Sequence, residues 1–93
     1  MNKTTIKTKS IKQKNAQRNV ARSLRELMKL PYRIELMPLS EKDGGGYFAS
    51  IPLLKGCQSD GVTPDEAIDS LREAEYAWFR SALKHGDPIP LPQ

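Results

Sequence analysis

The fold of this chain is organised around a helix that opens at Thr63-Pro64-Asp65-Glu66. The threonine hydroxyl can accept from backbone amides, proline suits the first helical position, and glutamate can reach back toward the amides ahead of it. From there Ala67, Ile68, Leu71, Ala74, Trp78, Ala82 and Leu83 recur at spacings of three and four until Gly86 supplies a stop. Together they predict an apolar face about six turns long. Asp65, Glu66 and Asp69 lie in the opening turns and Arg80, Lys84 and His85 near the end, both favourable against the helix dipole. A stripe of that length must be covered, and a chain of 93 residues has room for one core to cover it.

The cover is expected from the segment upstream. Tyr32-Arg33-Ile34-Glu35-Leu36-Met37 alternates apolar with charged residues, the period of a half-buried strand with Tyr32, Ile34 and Leu36 on one face. Ser40 to Gly46 reads as a turn, because Asp43-Gly44 tolerates the positive backbone angles of tight hairpins. Tyr47 to Ile51 supplies the partner strand, stopped by Pro52, which has no amide proton for a ladder. Gly56-Cys57-Gln58-Ser59-Asp60-Gly61 is a third, shorter strand between glycines. After Gly86, alternate prolines in Asp87-Pro88-Ile89-Pro90-Leu91-Pro92-Gln93 forbid helix and suit an extended edge segment. The fold class is therefore α+β: a three-stranded antiparallel sheet packed on one long helix, then an edge segment, in the order β-β-β-α-β.

Charge divides the chain in two. Residues 1–30 carry nine Lys or Arg against Glu26 alone, a net +8, and residues 31–93 carry six against ten acidic residues, a net −4. Residues 1–14 hold too little apolar surface to offset the cost of ordering and are read as a disordered basic arm. Residues 15–30 place Val20, Leu24, Leu27 and Met28 on one side of an amphipathic helix and Arg18, Arg22, Arg25 and Lys29 on the other, with Pro31 ending it. Residues 31–93 form the remaining domain.

The ordered set Gly46-Tyr47-Phe48-Ala49-Ser50-Ile51-Pro52, Gly56-Cys57 with Ser59 and Gly61, Thr63-Pro64-Asp65-Glu66-Ala67 and Gly86-Asp87-Pro88-Ile89-Pro90 resembles the HicB family of bacterial antitoxins over residues 31–92. The resemblance implies a truncated ribonuclease-H-like domain that binds and silences a small RNA-cleaving HicA toxin. Two departures stand out. Leu53-Leu54-Lys55 follows Pro52 where relatives often carry an acidic residue. The chain ends at Gln93 without the C-terminal DNA-binding domain that many members add, so operator binding by that route is not expected. Tyr47, Phe48, Pro52, Leu54 and Asp60 are the candidate toxin contacts. Phe79, next to Trp78 but unable to share its direction, joins Ile89 and Leu91 as a candidate contact in a homo-oligomer, a dimer or tetramer.

Enzyme chemistry is not expected. Ribonuclease-H-type catalysis needs carboxylates converging on divalent metal, whereas Asp43 and Asp60 sit in turns and Asp65, Glu66 and Asp69 at a helix start, where capping explains them. His85 reads as a helix-end residue and Cys57 as a small buried apolar one. Gly44-Gly45-Gly46 lacks the Lys-Ser/Thr and the helix of a phosphate cradle. No catalytic residue, metal or cofactor is called for. One cysteine and one histidine offer neither an internal disulfide nor a zinc set, and no apolar run approaches the roughly 20 residues that span a bilayer. A reducing, cytoplasmic, non-membrane setting is expected. Two readings of the basic arm remain open. Arg18, Arg22, Arg25 and Lys29 can contact nucleic acid, which makes a stand-alone nucleic-acid-binding regulator the alternative function. Otherwise the arm is solvated or docks on an acidic neighbour.

Overall fold

Thr63 caps as its surroundings predict. In the computed structural model, which describes residues 23–92, its backbone is extended and its hydroxyl accepts from the Glu66 amide at 3.1 Å. Glu66 reaches back in turn, but to the amide of Val62 at 3.1 Å, one residue before the cap itself. The helix runs Pro64–His85 and ends at Gly86, whose φ of 71° lets its amide turn back onto the Ala82 carbonyl. His85 Nδ1 sits 2.8 Å from the Ser81 carbonyl, covering one of the last helical acceptors.

Ahead of this helix lie the expected three strands: β1 (Glu35–Pro38), β2 (Tyr47–Ser50) and β3 (Gln58–Gly61), antiparallel in the order β1-β2-β3. Residues 23–28 are helical and are labelled α1; Pro64–His85 is α2. The arm over 1–14 and the first part of the amphipathic stretch, with Val20, Arg18 and Arg22, lie outside the described residues. The β1–β2 link is a 3-10 turn over Glu41–Asp43, capped by the Ser40 hydroxyl and leaving through Gly44, Gly45 and Gly46, all at positive φ. That requirement accounts for three glycines in a row. At the other end of the sheet, Gly61 lies so close to the start of α2 that a Cβ there would sit 2.4 Å from the Ala67 amide nitrogen. The absent side chain is what lets β3 run directly under the helix.

The first strand is shorter than its alternation predicts. β2 ends at Ser50, paired with Glu35, and the next amide, Ile51, donates instead to the Cys57 carbonyl at 3.0 Å. Tyr32 to Ile34 therefore have no partner strand. Tyr32 turns inward: its ring lies 5.6 Å from that of Phe79 and its hydroxyl donates to the Pro90 carbonyl at 2.6 Å. That bond attaches the C-terminal segment, which forms no fourth strand. With Pro88, Pro90 and Pro92 it offers few amides to a ladder.

The core line of α2 is Ala67, Leu71, Glu75, Phe79 and Ala82, flanked by Ile68, Ala74, Trp78 and Leu83. It meets Ala49, Ile51, Leu54 and Cys57 from the sheet side and Leu24 from α1. This corrects two assignments. Phe79, expected at an oligomer contact, is 0% exposed, and its burial contributes about 1.5–3 kcal/mol. Trp78 is the half-buried one of the pair, its ring edge-on to Phe79 and its Nε1 donating to the Lys55 carbonyl at 2.8 Å. Leu54, expected at the toxin contact, is also 0% exposed. The bonds Leu54 N to Ile51 O and Cys57 N to Leu54 O close the loop after β2, and Trp78 fastens it to α2, which directs Leu54 inward.

Candidate interaction surface

Residues paired directly across antiparallel strands point to the same side of a sheet. The registers Leu36–Ala49–Ser59 and Pro38–Tyr47–Gly61 belong to the side under α2, where Ala49 is fully enclosed. The alternate rows, Met37–Phe48–Asp60 and Glu35–Ser50–Gln58, point away from the helix, and no element among the described residues covers them. Met37 is 50% exposed and Phe48 half-buried. This side therefore has an aromatic ring on its central strand with a thioether beside it on β1, Ser50 and Gln58 in the next row, and carboxylates on its two edge strands. Glu35 is engaged by Arg33 at 2.9 Å, an exposed pair of small energetic consequence. Asp60 has no ion-pair partner among the described residues.

Of the candidate toxin contacts, Phe48 and Asp60 come together here as cross-strand partners. Tyr47 faces the other way and packs against the core, and Leu54 is enclosed. Pro52 is exposed and lines a shallow depression with Pro31, Arg33, Leu53 and Pro92. Met37 and Glu35 were missed, although the alternation that placed Tyr32, Ile34 and Leu36 on one side put Arg33, Glu35 and Met37 on the other. Among the remaining candidates, Ile89 is half-buried against the core, Leu91 is exposed, and Arg25 and Lys29 are exposed on and just after α1.

Glu75 is the residue that sequence reasoning passed over entirely. It is 0% exposed. Arg72 donates through Nη1 to its Oε1 at 2.7 Å and through Nη2 to the Met28 carbonyl at 2.9 Å, tying α1 to α2. Its Oε2 has no partner. Burial pushes the Glu75 carboxyl above the ordinary 4.5, with Arg72 opposing. Burial, and then the nearby Glu75, also raise Tyr32 and push the Cys57 thiol up to about 11. Cys57 is thus an enclosed, protonated thiol, the reverse of an activated nucleophile. Among the described residues no three His, Cys, Asp or Glu side chains are grouped to hold a metal ion, and no helix is long and apolar enough to cross a membrane.

Comparison with known proteins places these residues in a wider set. The UPF0150 protein ssr1765 of Synechocystis sp. (strain PCC 6803) is 43% identical over 53 residues, covering 56% of this chain and 67% of that protein. The UPF0150 protein Ta0767 of Thermoplasma acidophilum is 35% identical over 52 residues, covering 56% and 75%. A second Synechocystis relative, UPF0150 protein ssl0259, is 34% identical over 59 residues, covering 63% and 77%. No protein-family model and no solved structure matches the chain.

Proposed function

The chain belongs to the UPF0150 family, and from that premise we propose that it is a HicB-type antitoxin: a binding module that neutralises a small, basic, RNA-cleaving toxin of the HicA type by covering its RNA-binding surface, with no reaction of its own. The observation that carries the reading is the uncovered side of the sheet, where Met37 and Phe48 form an apolar centre between the carboxylates Glu35 and Asp60. A toxin built to hold RNA presents cations. Carboxylates on the edge strands of a body with net charge −4 steer its approach, while the aromatic centre supplies residence time. β1 and β3 each keep one unpaired backbone edge, which a second copy can use to form a dimer or tetramer. The cytoplasm, where such a toxin meets RNA, is the setting this role requires.

Titration calorimetry of the full chain against the small basic protein encoded beside it tests the reading. A complex is expected, with Asp60→Lys weakening it at least tenfold through repulsion and Phe48→Ala raising the dissociation rate. The reading fails if no complex forms, or if both variants bind like the parent.

A further inference from the structure

The outer side of α2 changes sign along its length. Asp65, Glu66, Asp69 and Glu73 occupy its exposed first half, and Arg80, Lys84 and His85 its exposed second half. Tyr76, 45% exposed, stands at the change. Residues 76, 80 and 84 are four apart, so they line one face at steps of about 6 Å.

Tyr76 also joins two neighbouring depressions. One is lined by Leu24, Arg25, Met28, Lys29 and Tyr76, the other by Tyr76, Ala77, Arg80, Ser81, Lys84 and His85. Arg25 and Lys29 from the α1 segment border the first depression and Arg80 and Lys84 from α2 the second; the two share Tyr76 as a wall, an interrupted groove with two cations on either side. The ion pairs among the described residues are Arg33–Glu35 and Arg72–Glu75, so none of these four cations has a carboxylate partner among the described residues. In sequence, residues 1–22 ahead of α1 contain seven Lys or Arg and no Asp or Glu.

We propose that this interrupted groove, running from the seam between α1 and α2 onto the exposed second half of α2, binds the sugar-phosphate backbone of a nucleic acid, with Arg25, Lys29, Arg80 and Lys84 holding phosphates and Tyr76 stacking on an exposed base or ribose. Four cations flanking an exposed aromatic side chain match what backbone binding needs: charge to displace counterions and a flat ring that tolerates any sequence. The acidic first half of α2 sets one end of the track, since a polyanion following the groove meets Asp69 and Glu73 beyond Tyr76. α2 lies between this groove and the open side of the sheet, so nucleic acid and a protein on the sheet can be held together. The groove does not depend on the toxin reading. The alternative drawn from the sequence relied on residues 1–30; here half of the cations and the stacking ring come from the body.

The test is fluorescence anisotropy of the full chain with a labelled duplex DNA and a labelled single-stranded RNA of arbitrary sequence, across a salt series. Binding to at least one is expected, with affinity falling steeply as salt rises. Arg80→Ala with Lys84→Ala removes two exposed cations and should lower duplex affinity about tenfold or more and flatten the salt slope by about 1.8, or about 1.4 for single strands. Tyr76→Ala should weaken the RNA about tenfold and the duplex much less. Circular dichroism melts and toxin titration report whether each variant is otherwise intact, and both should match the parent. The proposal is overturned if the parent binds neither probe at low salt, if the double variant keeps the parent's salt slope, or if a polyglutamate peptide competes as well as the nucleic acid.

Discussion

The two sides of the sheet are made from the same three strands and differ in almost every physical respect. Toward α2, Ala49 on β2 is fully enclosed and Gly61 on β3 has no room for a methyl group. One residue along β2, Phe48 turns to the other side and meets Met37 and Asp60, with no element among the described residues above it. The difference teaches where each kind of demand falls. On the inner side shape decides, because close-packed interiors leave no slack; on the outer side the strands are free to carry a binding chemistry. Phe79→Ala attacks the inner side at its largest enclosed side chain and should cost about 3–5 kcal/mol, read from urea denaturation of the full chain. A loss below about 1 kcal/mol would mean that Phe79 projects to a partner after all, and the distinction between the sides would collapse.

Glu75 sharpens the comparison from within, because among the described residues it is the one buried charge on the enclosed side. Its carboxyl is raised above the usual 4.5 chiefly by burial. The folded state therefore favours the protonated form. The stability this provides is fully present below the unfolded value and is lost as pH rises through the higher folded value. Glu75→Gln keeps an acceptor for Arg72 and removes the charge. It should add on the order of 1 kcal/mol near neutral pH, where the parent holds a buried carboxylate oxygen without a partner, and almost nothing at pH 4. Thermal melts of parent and variant between pH 4 and 8 should diverge upward from about 4.5; parallel curves would show that Glu75 is not strained by burial.

The legible and illegible parts of this fold separate along the same line. α2 could be read because its cap, proline, dipole charges and terminal glycine are local chemistry that needs no tertiary information. The strand order and the glycine turn followed from alternation and turn residues. Phe79 and Trp78 were exchanged because the apolar stripe was traced through hydrophobic residues alone, which leaves out Glu75. Admitting a charge at position 75 rotates the stripe toward 71-75-79, and what offsets that charge is Arg72, which donates to Glu75 Oε1 and is itself held by the Met28 carbonyl. Leu54 was misplaced for a related reason. Its direction is set by the Ile51–Cys57 backbone bond, by the loop that closes between them, and by the one long-range contact, the Trp78 indole on the Lys55 carbonyl, none of which leaves a periodic trace. Half of the candidate surface was visible as Phe48 and Asp60. Their cross-strand neighbours Met37 and Glu35 required the register, which alternation alone does not specify.

Met37→Ser is expected to have the smallest effect on stability and bears most directly on whether the outer side is open. Met37 lies on an edge strand, half exposed, with one cross-strand neighbour in Phe48. Removing its thioether should change stability by no more than about 0.5 kcal/mol, the range of substitutions away from packed features, while weakening the proposed toxin complex several-fold by taking away half of the apolar pair. Denaturation and titration on the same preparation check both. A stability loss above about 2 kcal/mol that depends on protein concentration would mean the opposite: that in solution a second copy already covers this side, so that Met37 and Phe48 serve as core for a pair of chains and the toxin must be received elsewhere.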